Sequence, residues 1–564
     1  MSTTAAVYFE EDAYGTAGKR LLGRQAAGEG FLRGLVRFGK AETLFCCART
    51  RKIFDAFCRQ VTPWTSAPRK IAWLPTHDLP GIARAGTLYR PDPNIGELAW
   101  QRRFHDQRGY SLCGVTHTIA SKQMQQMIGD LLLSPVQPWD AVICTSQAVK
   151  QAYEKILDDW AEYLGQRIGK RPVNPVQLPV IPLGVDCASF PQGEQAGQLR
   201  SAFRKRMGIA PEDIVVFFMG RLIFYGKAHP VPMYLALERA ARQTGKRIHL
   251  LQAGWFENKQ EEEAFLKSPA NFCPSVHCLF LDGRRSEVRY GIWPAADIFV
   301  SLSDNIQETF GLTPIEAMAN GLPVVIADWN GYQESMQDGV EGFKIPVTMP
   351  APGAGRDLAA DYLANHLNYS AYIAHPCMAT AVDIDTCVNA FVTLIEQPDV
   401  RRKMGEAGRQ RARTVYDWRN IIPAYEQLWE NLAELRQGMD EVAPSPARRA
   451  LHPLCQDPFA MFSHYTPLHL HERTQLLLSP NCTPGLRQAL ASDWMTQYGS
   501  NMRLPVDDIE ELLALLSPSE PVLVRALIDQ LTQRKDTALS SAHFFRTLGY
   551  LLKFDLVRKV QEKK

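Results

Sequence analysis

The sequence predicts an α/β protein with two halves, each built on a parallel sheet, followed by a small helical domain. Three observations carry this. Short apolar runs that read as strands alternate with helical patterns through both halves. One full strand–loop–helix–strand unit is legible from ADIFVSLS to GLPVVIAD. From about Ala443 onward, IEELLALLS, VLVRALIDQLTQ and SAHFFRTLGYLLKFDLVRKV repeat apolar residues at helical spacing.

The first half opens with the strand AAVYF. The glycine-rich GRQAAGEG then leads into the helical pattern FLRGLVRFGKAE, so Gly28 and Gly30 are expected just before a helix N-terminus. Strands follow at KIAWLP, SLCGVTHT and WDAVICTS, the last running into the helix QAVKQAYEKILDDW, and VQLPVIPLGVD closes this half. The second half begins after the charged helix LRSAFRKRMG, with strands IVVFFMG, KRIHLLQAG, HCLFLDG and ADIFVSLS.

Length and composition bound the function. At about 150 residues per domain, 564 residues provide for three or four units. The 62 Lys and Arg are balanced by 60 Asp and Glu for a net charge of +2, which argues against duplex nucleic acid as a partner. Twelve scattered cysteines show no zinc or redox spacing and point to a reducing compartment. The start MSTTAAVYFEEDAYG is acidic where a signal peptide needs a basic start and an apolar core. No run of about 18 apolar residues occurs. A soluble, cytoplasmic protein is expected, with peripheral membrane association as the variant to test.

The densest chemical signal is ETFGLTPIEAMANG, residues 308 to 321. Thr313 reads as an N-cap and Pro314 as the first helical position. Glu316, three after the cap, would complete a Thr-x-x-Glu capping box. The amides of Gly311, Leu312 and Thr313 at that helix start suit a phosphate. Glu308, in the loop leaving a strand, is placed to accept hydrogen bonds from sugar hydroxyls, since open α/β sheets bind ligands at the carboxyl ends of their strands. A second signal follows IVVFFMG: Arg221 and Lys227 put two cations at a strand end, a bidentate phosphate partner and a point charge, matching a diphosphate.

The order of GRL with a following Lys, AADIFVSLS, two Glu separated by seven residues around FGL, GLPVVIAD, GYQESMQDGVEGF and an upstream VIPLGVD resembles the retaining GT-B glycosyltransferases of family 4. The resemblance covers about residues 1 to 435. It implies a GT-B fold, two Rossmann-like domains facing a cleft: an acceptor-side domain over 1–200, a nucleotide-sugar domain over 201–415, and a crossover helix over 416–440; the helical accessory region over 441–564 exceeds the family core. It implies that Arg221 and Lys227 bind the donor diphosphate, that Glu308 with the amides near Phe310, Gly311 and Leu312 holds the donor sugar, and that Glu316 contacts the ribose. By the same resemblance His117 faces the donor sugar, and Gly28 and Gly30 form a loop approaching the diphosphate.

The expected activity is transfer of a sugar from a nucleotide-diphosphate sugar, UDP- or GDP-linked, to a hydroxyl acceptor that is a glycan, a lipid-linked sugar or a small molecule. No cofactor is expected and no metal, because cations already stand where a divalent ion would neutralise diphosphate. A silent sugar-nucleotide-binding scaffold and a GT-B phosphorylase or epimerase are the competing readings. Asp383 and Asp385 form an Asp-x-Asp triplet better read as helix capping. His464, His469 and His471 lack the spacing of a zinc site. The long segment 348–383 exceeds a plain link and is expected to border the cleft. Basic residues of the final helix, Lys553, Arg558, Lys559, Lys563 and Lys564, raise weak membrane or protein docking as an alternative to ordinary packing.

Overall fold

The structure is a computed structural model describing residues 4–16, 23–65, 69–443, 452–533 and 540–560. Its chain divides into two compact units, Met1–Leu451 and His452–Lys564.

The first unit holds two parallel six-stranded sheets. The first contains β1 (Thr4–Tyr8), β2 (Thr43–Ala48), β3 (Lys70–Pro75), β4 (Gly86–Tyr89), β5 (Ser111–Val115) and β6 (Ala141–Ile143), ordered β3-β2-β1-β4-β5-β6. The second contains β7 (Ile214–Met219), β8 (Ile248–Gly254), β9 (Val276–Asp282), β10 (Ile298–Ser301), β11 (Val324–Ala327) and β12 (Gly342–Ile345), ordered β12-β11-β10-β7-β8-β9. Both have the doubly wound order, and helices cover both faces, which is why strands such as IVVFFM are buried at every position. This is the GT-B architecture expected from the sequence. In the second sheet the winding reverses between β7 and β10, so the loops leaving these strands open a crevice where such sheets bind ligands.

Strands β2 and β4 were not among the expected elements. β2 lies just beyond the helical pattern of residues 31–42, whose helix ends at Phe38. β4 reads GTLY, with Gly and Thr in place of the apolar run that marks β6, β10 and β11.

The glycine loop expected at Gly28 and Gly30 is also corrected. Both lie inside the helix Gly23–Phe38 and serve packing. A Cβ on Gly28 would sit 2.1 Å from the Ala13 carbonyl oxygen, and one on Gly30 would sit 3.0 Å from Trp418 Nε1. Trp418 starts the helix Trp418–Gly438, which returns to the first half. Its Ile422, Tyr425 and Trp429 pack in the first-half core, and Arg436 donates to the Gly86 carbonyl at 2.6 Å.

Several contacts tie the halves. Ser146, which caps the helix Gln147–Ile168, donates to the Thr309 carbonyl at 2.9 Å. The Glu334 carboxylate accepts from the Gln147 amide at that helix's N-terminus, where a negative charge is favoured. Within the first half, Arg37 pairs with Asp186 at 2.5 Å and holds the segment that leads to the second.

Segment 348–383 forms two helices, Arg356–Leu363 and Tyr369–Ala379, between the paired strands Val347–Thr348 and Ala381–Val382. Asp383 caps the helix Ile384–Glu396 by accepting from the Thr386 amide at 2.7 Å, and Asp385 pairs with Arg239.

The second unit is not purely helical. Helices Val506–Ala514, Val524–Gln533 and Ser541–Lys553 enclose a leucine-rich core, but Gln475–Leu478, Val522–Leu523 and Val557–Lys559 form a three-stranded antiparallel sheet. The last helix stops at Lys553 because Asp555 adopts a positive φ of 55°. Arg558 and Lys559 therefore stand on a strand, and the expected basic helix running to the end does not form; Lys563 and Lys564 lie outside the described residues. No described helix is long and apolar enough to cross a membrane.

Candidate active site

The crevice at the β7–β10 switch point encloses about 470 Å³, within the usual size of a ligand pocket. Nine of the eleven residues singled out from the sequence line it: His117 from the first half, with Arg221, Lys227, Glu308, Phe310, Gly311, Leu312, Thr313 and Glu316 from the second. Gly28 and Gly30 are absent from its wall, although Gly23, Arg24, Ala26 and Ala27 of the same helix are present.

Lys227 Nζ and Glu308 Oε2 form a short salt bridge, with both side chains largely buried. Burial opposes each charge, but the pairing wins. The Glu308 carboxylate holds the Lys227 ammonium above the ordinary lysine range, and Lys227 holds Glu308 below the ordinary carboxylate range. The other Glu308 oxygen accepts from the amides of Thr309 at 3.1 Å and Phe310 at 3.4 Å. Arg221, one residue past Gly220, makes no salt bridge to another described residue and keeps its guanidinium for the crevice it lines.

The helix start differs from the expected capping box. The helix runs Leu312–Ala319, and Gly311 occupies the cap with φ 87° and no side-chain cap bond. Thr313 therefore lies one residue inside the helix, where its hydroxyl is buried without a partner. Glu316 caps nothing. It lines the crevice, and burial raises its carboxyl above the usual range, against the pull of Arg289 and Lys227. Gly311 is required here, since a Cβ would fall 1.8 Å from Tyr332 Cε1.

His117 follows β5 and bonds through Nε2 to the Pro91 carbonyl at 2.6 Å. A carbonyl only accepts, so Nε2 carries the proton; burial lowers the imidazole pKa, and the neutral ring keeps Nδ1 as an acceptor.

Sequence reasoning missed several wall residues. Gly220, Gly254 and Gly283 follow or end β7, β8 and β9 and bring three backbones close: a Cβ on Gly254 would lie 1.9 Å from the Gly220 carbonyl oxygen. The signal was present, since three successive strands each run out in glycine. Arg289 and Gln307 also line the crevice, but neither sits in a pattern that separates it from ordinary surface residues. Among the described residues no group of His, Cys, Asp or Glu could hold a metal ion, and His464, His469 and His471 belong to the second compact unit.

The class that this fold and site define has a counterpart among known families. Residues 200–354 match the family described as Glycosyl transferases group 1. The D-inositol 3-phosphate glycosyltransferase of Nocardia farcinica is 28% identical over 253 residues, 44% of this chain and 53% of that protein. The protein of the same name from Mycobacterium sp. (strain JLS) is 30% identical over 255 residues, 44% and 52%. The chain thus spans about half the length of the curated relatives it matches. Among solved structures, Anabaena Alr3699/HepE in complex with UDP aligns with a TM-score of 0.48 and 16% identity, over 76% of this chain and 100% of that one. Sucrose-phosphate synthase from Thermosynechococcus elongatus aligns with a TM-score of 0.46 and 17% identity, over 76% and 99%.

Proposed function

We propose that this protein is a retaining, metal-independent glycosyltransferase that moves a sugar from a nucleotide-diphosphate sugar to a hydroxyl acceptor. The observation that carries the reading is the gathering, at one switch point, of Arg221, Lys227 and the helix start at Gly311–Thr313, all within the segment 200–354 that matches group 1 glycosyltransferases, in a crevice that His117 of the first half also lines. Two cations and a helix N-terminus suit a diphosphate, and carboxylates beside them suit sugar and ribose hydroxyls.

The transfer is a same-face substitution. The C1–O bond to the diphosphate breaks while its electrons and charge pass to the phosphate oxygens, stabilised by Arg221, Lys227 and the helix amides. The acceptor hydroxyl forms the new C1–O bond from the side the diphosphate leaves, and a phosphate oxygen takes its proton. Glu308 is not the nucleophile in this scheme, because one oxygen is held by Lys227 and the other by two amides. Glu308 then orients the donor sugar, Glu316 takes the ribose, and neutral His117 accepts a hydrogen bond from the sugar at Nδ1. The donor base is uracil or guanine, and the acceptor is a glycan, a lipid-linked sugar or a small molecule that carries a hydroxyl.

A panel of UDP-, GDP- and ADP-sugars tests this by thermal stabilisation and slow hydrolysis, with the anomer of the released sugar read by NMR before mutarotation. Stabilisation by one nucleotide series, retained anomeric configuration and full rate in the presence of a chelator are expected. Stabilisation without turnover would favour a silent sugar-nucleotide-binding scaffold, stabilisation by none a scaffold that has lost its donor site, and abolition by the chelator would reverse the metal assignment.

A further inference from the structure

Segment 348–383, inserted in the second half between β12 and the helix Ile384–Glu396, reaches the site. Its second helix, Tyr369–Ala379, is anchored at the far end, where Cys377 donates to the buried Asp304 carboxylate at 3.3 Å. At the near end, the Tyr369 hydroxyl donates to Gln307 Oε1 at 3.1 Å and stands 3.4 Å from Thr118 Oγ1. With its proton committed to Gln307, the Tyr369 oxygen accepts from Thr118. Gln307 in turn donates through Nε2 to the Gly226 carbonyl at 3.0 Å.

Each residue that this chain of bonds touches is the sequence neighbour of a site residue. Thr118 follows His117 on the first half, Gln307 precedes Glu308, and Gly226 precedes Lys227. Both Thr118 and Gln307 line the crevice. The first helix of the segment repeats the link to the first half: Lys122 Nζ donates to the Tyr362 carbonyl and to Asn365 Oδ1, both at 2.8 Å.

We propose that Tyr369 is a positioning residue for the transfer reaction, its hydroxyl fixing His117 of one half against Glu308 and Lys227 of the other through Thr118, Gln307 and Gly226. This rests on the function proposed above. A single hydroxyl bridging the two walls holds the reacting groups in register without touching the diphosphate, so it acts on turnover more than on nucleotide affinity. Small displacements of a positioned group are costly to rate.

The test uses Tyr369→Phe in the full chain, which keeps the ring and removes only the bridging oxygen. Donor turnover should fall about tenfold, nucleoside diphosphate affinity should stay within about twofold, and amide exchange should rise both at 116–121 and at 305–311. Thr118→Val should reproduce the loss, Thr118→Ser should restore most of it, and Tyr369→Phe with Thr118→Val should be no worse than either alone. Unchanged turnover, unchanged exchange in either segment, or nucleotide affinity falling in step with turnover would each overturn the proposal. If the wild-type chain binds no nucleotide sugar, the proposed function fails separately. Exchange then decides the tie by itself: a rise in both segments supports it and a rise in one or neither overturns it.

Discussion

Lys227, from the loop after β7, and Glu308, from the loop after β10, meet in a buried salt bridge across the point where the second sheet reverses its winding. Each suppresses the cost of burying the other, so removing one partner strands a charge. Lys227→Met should destabilise the protein by about 3–5 kcal/mol, and adding Glu308→Leu should recover much of that loss. The pH dependence has a definite sign. The depressed Glu308 contributes stability above the ordinary carboxylate range and loses it as pH falls through its folded pKa. The raised Lys227 contributes below the ordinary lysine range and loses it as pH rises through its own. The difference between wild type and Lys227→Met in urea unfolding should therefore be flat from about pH 6 to 9 and shrink on the acid side.

Gly311 holds the helix start that faces the proposed diphosphate. Gly311→Ala meets two penalties, a left-handed backbone at φ 87° and a Cβ 1.8 Å from Tyr332. Strain and overpacking of this kind each cost about 1–3 kcal/mol. Chemical denaturation should show a loss of at least about 2 kcal/mol, and nucleoside diphosphate binding should weaken with it. A fully stable variant would mean the loop can turn without glycine.

Asp304 anchors the inserted helix through Cys377 and the His229 amide, and burial raises its pKa to about 7. A carboxyl whose folded pKa is raised contributes stability that is complete below the unfolded value and is lost as pH rises through the folded one. The stability of wild type relative to Asp304→Asn should fall between about pH 4 and 7. Amide exchange in 369–379 should rise over the same window in wild type only. A pH-independent difference would place the Asp304 titration elsewhere.

The sequence was informative where function and local pattern coincide. β7, β8, β10 and β11 are short apolar runs bounded by turn residues, and Arg221, Lys227 and Glu308 sit at their ends, so periodicity led directly to the crevice. It misled where one residue type serves two physical ends. Gly28 and Gly30 look like loop glycines by composition, yet they are small because the Ala13 carbonyl and the Trp418 ring press on that helix. Thr313 and Glu316 have capping-box spacing, but Gly311 takes the cap and leaves Glu316 for the crevice. In the tail, QLLL satisfies strand and helix alike, and only pairing with Val557–Lys559 decides between them. Tyr369 was out of reach, because its partners Gln307 and Thr118 are 62 and 251 residues away.

The central claim is that Arg221 and its neighbours receive the diphosphate of a nucleotide sugar. Arg221 has no salt bridge among the described residues, so Arg221→Ala removes a ligand contact without stranding a buried partner. Calorimetric titration of the nucleoside diphosphate that stabilises the wild-type chain measures the claim most directly. A charge-assisted hydrogen bond contributes about 1.5–3 kcal/mol, so affinity should fall about tenfold or more with thermal stability unchanged. Equal affinity of Arg221→Ala and wild type would contradict the account.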